Sequence, residues 1–337
     1  MNRRERVRAA IAHQETDFVP FHMDLTHQEH ERFMDFVRDP GFLDRQGFHL
    51  HGGQYWGWPT ERPDRPGHFL DDYGVTWNRT GADRDIGVID RPILSEPDLS
   101  RLREPFLNEA RIRAEVEHVL ATAGDRFTLY GIGFSLFERA WSYCGMEDLL
   151  CYMITEPDFV EGLLDRICEY NLRIIDLVNE YPLDGFYFGD DWGQQHGQIM
   201  GPASWRRFLK PRLRRMYDRA KKNGKAIIQH SCGDVEALFP ELVEIGLDVY
   251  QTFQPEIYDI EKVKHEFGRD LAFWGGISTQ QLLPVATPDR VRDETRRIIG
   301  IMGRGGGYIA SPTHAVPSDV PPENLLAMLD AFHNQKG

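Results

Sequence analysis

A histidine and a cysteine stand two residues apart in "AIIQHSCGDVEALFPEL", as His230 and Cys232. On an extended chain this spacing turns both side chains to one face. Imidazole nitrogen and thiolate sulfur are donors that zinc prefers, but a catalytic zinc takes three ligands from the protein, so the pair falls one short. A strand-end histidine beside a buried cysteine leaves the same signature without any metal. Other reactive groups collect in similar places. "HMD" holds His22 and Asp24, "GDDWGQQHG" holds Asp190, Asp191 and His196, and "SPTHAVPSD" holds His314. Asp190 and Asp191 suit either an acid–base pair or the cap of a helix. His22 and Asp24 are expected to line a pocket, with Tyr187 and Gln229 placed to hydrogen-bond a substrate. Trp56, Trp58, Trp192 and Trp274 suit an aromatic pocket or an ordinary core. His27 and His30, three apart, are expected on one solvent-facing side of a helix. The triplet Gly305–Gly307 precedes a strand rather than a helix, so it reads as a tight turn and not a phosphate cradle.

Such groups need elements to hold them. Six apolar runs, "FTLYGIGF", "DGFYFGD", "KAIIQHS", "LDVYQTF", "LAFWGGI" and "GGYIAS", are rich in β-branched and aromatic residues and end in glycine or polar residues. Strands buried on both faces read this way. Helical patterns, such as 205–223, 235–245 and 288–302, separate them in the rhythm of a parallel sheet. With "DFVPFHMD" (Asp17–Asp24) as the first strand, the runs approach the eight of a (β/α)8 TIM barrel, expected as a single domain over residues 1–337. The second strand is expected near "DIGVID" (Asp85–Asp90), and the Gly-, Pro- and aromatic-rich stretch 47–80 is expected as irregular N-terminal loops. A doubly wound sheet is the alternative, weakened by the lack of a Gly-rich fingerprint after the first strand. In a barrel, chemistry sits at the C-terminal ends of the strands, where these polar residues fall.

The 337 residues carry a net charge of −14, which argues against nucleic acid as a partner. The basic run Arg206–Lys222 reads as a solvated helix face. No run of 18 apolar residues predicts a membrane span, and the charged opening lacks the apolar core of a signal peptide. Four cysteines, Cys144, Cys151, Cys168 and Cys232, are too few for a disulfide scaffold. A cytoplasmic setting with thiols free to bind metal is expected.

The order of these pieces resembles the uroporphyrinogen decarboxylase superfamily. The resemblance rests on "RRERVRAAIAHQETDFVPF", on the long run from "FGDDWGQQHG" to "YQTFQPE", on "FWGGISTQQLLPVATPDRVRDETRRII" and on "GGGYIASPTHAVPSDVPPENLLAML". It spans Arg3 to Leu329 and is strongest after Gly185. The decarboxylases of this superfamily need no metal and hold a four-carboxylate porphyrinogen with an Arg-rich segment after the first strand. Here that position reads "FHMDLTHQEHERF", without the arginine pair. The second branch comprises cobalamin-linked methyltransferases with a His-x-Cys zinc site and a third, usually Cys, ligand shortly before a Pro-x-Glu-Asn run. His230 and Cys232 match the first two ligands. "PPEN", with Glu323, points upstream to His314 as the third, a departure from Cys to His that leaves a less anionic, more Lewis-acidic site.

The resemblance therefore implies a zinc-dependent methyltransferase with His230, Cys232 and His314 as ligands. Asp190, Asp191 and Glu138 would supply catalytic or supporting carboxylates, and His22, Asp24, Tyr187, Trp192, Gln229 and Trp274 would bind a small methylated substrate. The less anionic site leans towards a methyl ether, hence O-demethylation. No D-x-H-x-x-G cobalamin-binding run occurs, so a separate corrinoid protein would carry the cofactor. The alternatives are a uroporphyrinogen decarboxylase-like lyase and a metal-binding barrel hydrolase without methyl chemistry. The residues do not set the oligomeric state, and a homodimer is one arrangement they allow.

Overall fold

Seven strands run parallel and pair in their order along the chain: β1 (Leu50–Tyr55), β2 (Phe127–Ile132), β3 (Gly185–Gly189), β4 (Ala226–His230), β5 (Val249–Phe253), β6 (Ala272–Ile277) and β7 (Tyr308–Pro312). They come from a computed structural model that describes residues 1–81 and 85–335. The segment through Phe21 occupies the eighth position. On one side Ala310 donates its amide to Pro20 O (2.8 Å) and His22 donates to Ala310 O (2.9 Å); on the other, His49 donates to Phe21 O (3.1 Å). The sheet thus closes into a (β/α)8-type barrel, with helices such as Glu109–Thr122, Pro157–Asn179, Lys210–Ala220 and Pro288–Met302 outside.

The second strand lies at Leu50–Tyr55, inside the stretch expected to be loops, and not at Asp85–Asp90. "LHGGQY" hides because glycine is depleted in strands, yet here it is required. A Cβ on Gly52 would lie 2.5 Å from Leu129 Cδ1 and 2.6 Å from Leu129 O on the neighbouring strand. Val88–Ile89 instead forms the last, short strand of a four-stranded antiparallel sheet with Thr60–Glu61, His68–Leu70 and Thr76–Asn78.

Period-two alternation sorts the barrel interior into two levels. At the bottom, Leu50, Phe127, Ile228, Val249, Ala272 and Ile309 pack together with Val7 of the N-terminal helix Arg3–Ile11. That helix plugs the lower opening: Arg4 pairs with buried Asp184 at 3.0 Å, Arg8 also pairs with it, and Gly307 donates to Ala10 O at 2.7 Å. Above this apolar floor the inward positions turn polar or aromatic: Gln54, Tyr187, His230, Gln251 and Trp274. The floor keeps water from draining the barrel axis, so the site can only open upward.

Candidate metal centre

His230 ends β4, and Cys232 follows in a tight loop; His314 sits in the loop after β7. One ligand atom from each of the three lies within 4.8 Å of the others. His230 Nε2 stands 3.7 Å from Cys232 Sγ, and the two imidazole centroids are 5.6 Å apart. Donors around a tetrahedral zinc, with bonds of about 2.0–2.3 Å, sit roughly 3.3–3.8 Å from one another. The His–Cys pair already has that spacing, and the exposed His314 stands within 4.8 Å of both. Partial desolvation by the walls around this exposed side chain, reinforced by the neighbouring His230, lowers the His314 imidazole from its usual pKa. Burial raises the Cys232 thiol and outweighs the lowering by His230; a divalent cation in the trio is the charge that would hold it as thiolate.

A supporting layer orients the trio. His230 Nδ1 meets Gln251 Oε1, which also accepts from Tyr187 OH at 3.2 Å. Gln251 Oε1 can only accept, so Nδ1 carries the proton and Nε2 faces the site. Asp191 Oδ1 accepts the Cys232 amide at 2.7 Å and lies 3.4 Å from His230 Nε2. Burial opposes its ionisation, but His230 and the Cys232 amide hold the carboxyl below its usual range. The loop reaches this position by a close crossing of backbones: a Cβ on Gly233, at φ +79°, would lie 2.1 Å from the carbonyl carbon of Gly193. Gln251 is a site residue that the sequence reading passed over. A lone polar residue at an inward position of the buried strand "VYQTF" was the available signal.

Glu138, Asp191, His22, Asp24, Tyr187, Trp274, His230 and His314 all line the upper cavity. Cys232 joins the trio without lining either chamber, and three other expected site residues lie away from the cavity altogether. Asp190 is fully buried, and its oxygens accept the amides of Leu136 (3.2 Å), Phe137 (3.0 Å) and Glu138 (2.8 Å) and the Trp192 indole (2.6 Å). It therefore anchors the start of helix Phe137–Cys144 and not a substrate. Trp192 packs on Trp205 at 5.8 Å beneath that anchor. Gln229 has the opposite strand parity from His230 and faces outward, where it accepts from Tyr217 OH at 2.6 Å. His196 is exposed, as are His27 and His30 on helix His27–Val37. Of the other two tryptophans, Trp56 lines the cavity and Trp58 belongs to the core.

The cavity has two chambers. The metal-side chamber, about 370 Å³, holds Trp56, Phe134, Glu138, Asp191, His230 and His314. The inner chamber, about 270 Å³, reaches down to Leu50 and Leu129 past His22, Gly52, Gly53 and Trp274. Asp24, Gln54, Tyr187 and Gln251 belong to both. Among the described residues neither lining contains an arginine or a lysine. Burial, with Asp191 and Asp190 nearby, pushes the Glu138 carboxyl well above its usual range. The Asp24 side chain is exposed; against a desolvation cost from the neighbouring walls, His22, at 3.2 Å, lowers its carboxyl from the usual range.

A closed parallel barrel whose C-terminal mouth brings two imidazoles and a thiol within 4.8 Å of one another is an α/β barrel with the donor set of a metal centre. Residues 78–335 match the family described as uroporphyrinogen decarboxylase (URO-D). The chain belongs to that family. It is 24% identical over 195 residues to a methylated-thiol–coenzyme M methyltransferase of Methanosarcina mazei, covering 58% of this chain and 50% of that protein. It is likewise 24% identical over 262 residues to a uroporphyrinogen decarboxylase of Methylococcus capsulatus, covering 72% and 70%. The chain thus spans only half the length of the first of these relatives. A solved methyltransferase from Methanosarcina mazei shares the fold over the whole of both chains, with a TM-score of 0.75 and 17% identity. No helix among the described residues is long and apolar enough to cross a membrane.

Proposed function

We propose that this protein is a zinc-dependent methyltransferase that moves a methyl group between a small methyl ether and a separate corrinoid protein. The observation that carries the reading is the meeting of His230, Cys232 and His314 within 4.8 Å beneath an open cavity. A decarboxylase of this family has no use for such a trio, and the likeness to a methyltransferase supports the same choice. The donor set fits zinc with a vacant fourth position, and zinc bound there would supply a Lewis acid that polarises the substrate oxygen.

The residues of the chain divide the remaining work. Gln251 and Asp191 orient the ligands. The cavity walls hold the ether so that its oxygen faces the trio and its methyl faces the mouth. The O–CH3 bond breaks with its electron pair left on oxygen. A reduced corrinoid, carried by the partner at the mouth, supplies the pair that forms the new bond to the methyl group. The departing oxygen takes up one proton, for which the candidate donor is Glu138, a carboxyl in the same chamber that burial shifts towards its protonated form.

Two measurements test the reading. Metal analysis should find one zinc per chain in the wild type and a loss of that zinc in Cys232→Ser and in His314→Ala. A panel of methyl ethers mixed with protein and a reduced corrinoid protein should give the absorption change of methylated cobalt. A zinc-free wild type, or no cobalt methylation by any ether, would overturn the proposal.

A further inference from the structure

The two chambers meet at a junction that Asp24, Gln54, Tyr187 and Gln251 line in common. A TIM barrel ordinarily fills its axis with branched apolar side chains. Here two carboxamides stand at inward positions instead, Gln54 on β1 and Gln251 on β5. With the segment through Phe21 as the eighth member of the ring, β1 and β5 face each other across the axis. Gln54 is exposed to the cavity, and its amide has no hydrogen-bond partner among the described residues. The amide leans over Gly133, just beyond the end of β2. A Cβ on Gly133 would lie 2.5 Å from Gln54 Nε2 and 3.2 Å from Trp56 Cβ. Gly133 has no left-handed φ that would call for glycine, so its bare position makes room for that amide first of all. Gln251 is oriented by its neighbours. Its Oε1 accepts from His230 Nδ1–H and from Tyr187 O–H at 3.2 Å, so Nε2 is the end left over. That nitrogen can only donate; it has no partner among the described residues and is not sealed from the cavity.

We infer that Gln54 and Gln251 grip the ligand at this junction by an acceptor oxygen, set a few atoms from the end that meets the trio, and that Gln54 is thereby a specificity-determining residue. Amide N–H groups reach that oxygen from opposite walls of the barrel. A hydroxyl, a carbonyl and a carboxylate each supply such an oxygen. A plain hydrocarbon chain does not, and it would take water from both amides without replacing its hydrogen bonds. The inference rests on the proposed methyl-transfer reading only for what happens at the ligand's other end.

Four small ethers share a methoxymethyl group and differ beyond it: 2-methoxyethanol, methoxyacetone, methoxyacetate and 1-methoxypropane. Their binding to the whole protein, without corrinoid, is read by ligand-observed NMR titration. At least one oxygen-bearing probe should bind about fivefold tighter than 1-methoxypropane, the worth of one hydrogen bond. Gln54→Leu, close in size, should abolish that preference without weakening 1-methoxypropane. Gly133→Ala, which pushes the amide aside, should do the same with Gln54 still present. Gln54→Glu separates the sources of the oxygen, because it removes the N–H donors and keeps acceptors: a hydroxyl probe stays bound, whereas a carbonyl or carboxylate probe lets go. Equal binding of all four ethers, a preference that survives Gln54→Leu, or no binding tighter than about 10 mM would each overturn the inference. Cobalt methylation is scored separately on the same proteins. Preferential binding without methylated cobalt keeps this grip and removes the methyl-transfer reading; methylated cobalt with no preference set by Gln54 does the reverse.

Discussion

At the residue scale, two neighbouring aspartates show how little a side chain's chemistry decides by itself. Asp191 faces the trio, whereas Asp190 points away and takes three backbone amides and an indole N–H. Asp190→Ala would leave those four donors dry. Each unsatisfied group costs about 1–3 kcal/mol, so a loss of about 3 kcal/mol or more in urea unfolding is expected, with zinc stoichiometry unchanged. Gln251→Leu should do the opposite. It frees the His230 ring to turn or change tautomer, and loss of such an outer partner weakens metal binding about 10–100-fold. Chelator competition would register that drop while the unfolding midpoint stays near the wild type. In the sequence, His230 and Cys232 stood out by donor type and spacing and His314 by its loop's resemblance to a family pattern, and the fold brings the three together. Gln229 and Gln251 look alike there; only parity, fixed by His230, separates the outward from the inward one. Nothing local in "GDDWG" tells Asp190 from Asp191, because their difference is made by a helix some fifty residues upstream.

At the scale of elements, the barrel closes through a segment that makes hydrogen bonds on both sides but too few to form a regular strand. His49 sits at that seam. Its amide donates to Phe21 O at 3.1 Å, its carbonyl accepts from Phe127 at 2.9 Å, and Arg6 approaches its Nε2 at 3.2 Å. Arg6 can only donate, so Nε2 accepts and Nδ1–H donates to Phe21 O at 3.2 Å. Burial, with the charge of Arg6, pulls this imidazole down to about 4 from 6.5. Above pH 6.5 the ring is neutral in the folded and unfolded chains and adds no pH dependence. Between 6.5 and 4 the unfolded chain takes up the proton and the folded one does not, so stability falls as pH falls, by about 3 kcal/mol in all. His49→Gln keeps a donor and an acceptor and should flatten the stability curve over that interval by up to one proton; an unchanged slope would contradict the assignment. The same seam explains what the sequence concealed. Strands rich in β-branched and aromatic residues announced themselves, whereas "LHGGQY" reads as irregular loop because its glycines answer to distant neighbours, Gly52 to Leu129 and Gly53 to Tyr130 and Val119.

At the scale of the whole molecule, the site depends on a cap that is not part of the barrel. The antiparallel sheet of residues 60–89 is joined to helix Phe137–Cys144 by Asp71, which is 4% exposed. Its carboxylate accepts the amides of Tyr73 (3.0 Å) and Val75 (2.8 Å), the Trp77 indole (3.0 Å) and Arg139 Nη1 (2.9 Å). Arg139 is fully buried; it stacks over Tyr73 at 3.7 Å and donates to Trp56 O at 3.0 Å. One buried ion pair thus ties the cap, the cavity-lining Trp56 and the helix anchored by Asp190 into a single unit. Breaking such a pair strands a charge in a dry interior and costs about 3–5 kcal/mol, while replacing both partners with apolar groups costs far less. Asp71→Ala should therefore destabilise the protein by about that amount and speed amide exchange across residues 60–78. Asp71→Leu with Arg139→Met should recover much of the loss. Zinc should stay bound in both, since His230, Cys232 and His314 hang from β4, β7 and their loops. Under the proposed reading, methyl transfer uses the metal-side chamber that Trp56 lines, and that activity should fall in the single variant and return in the double one.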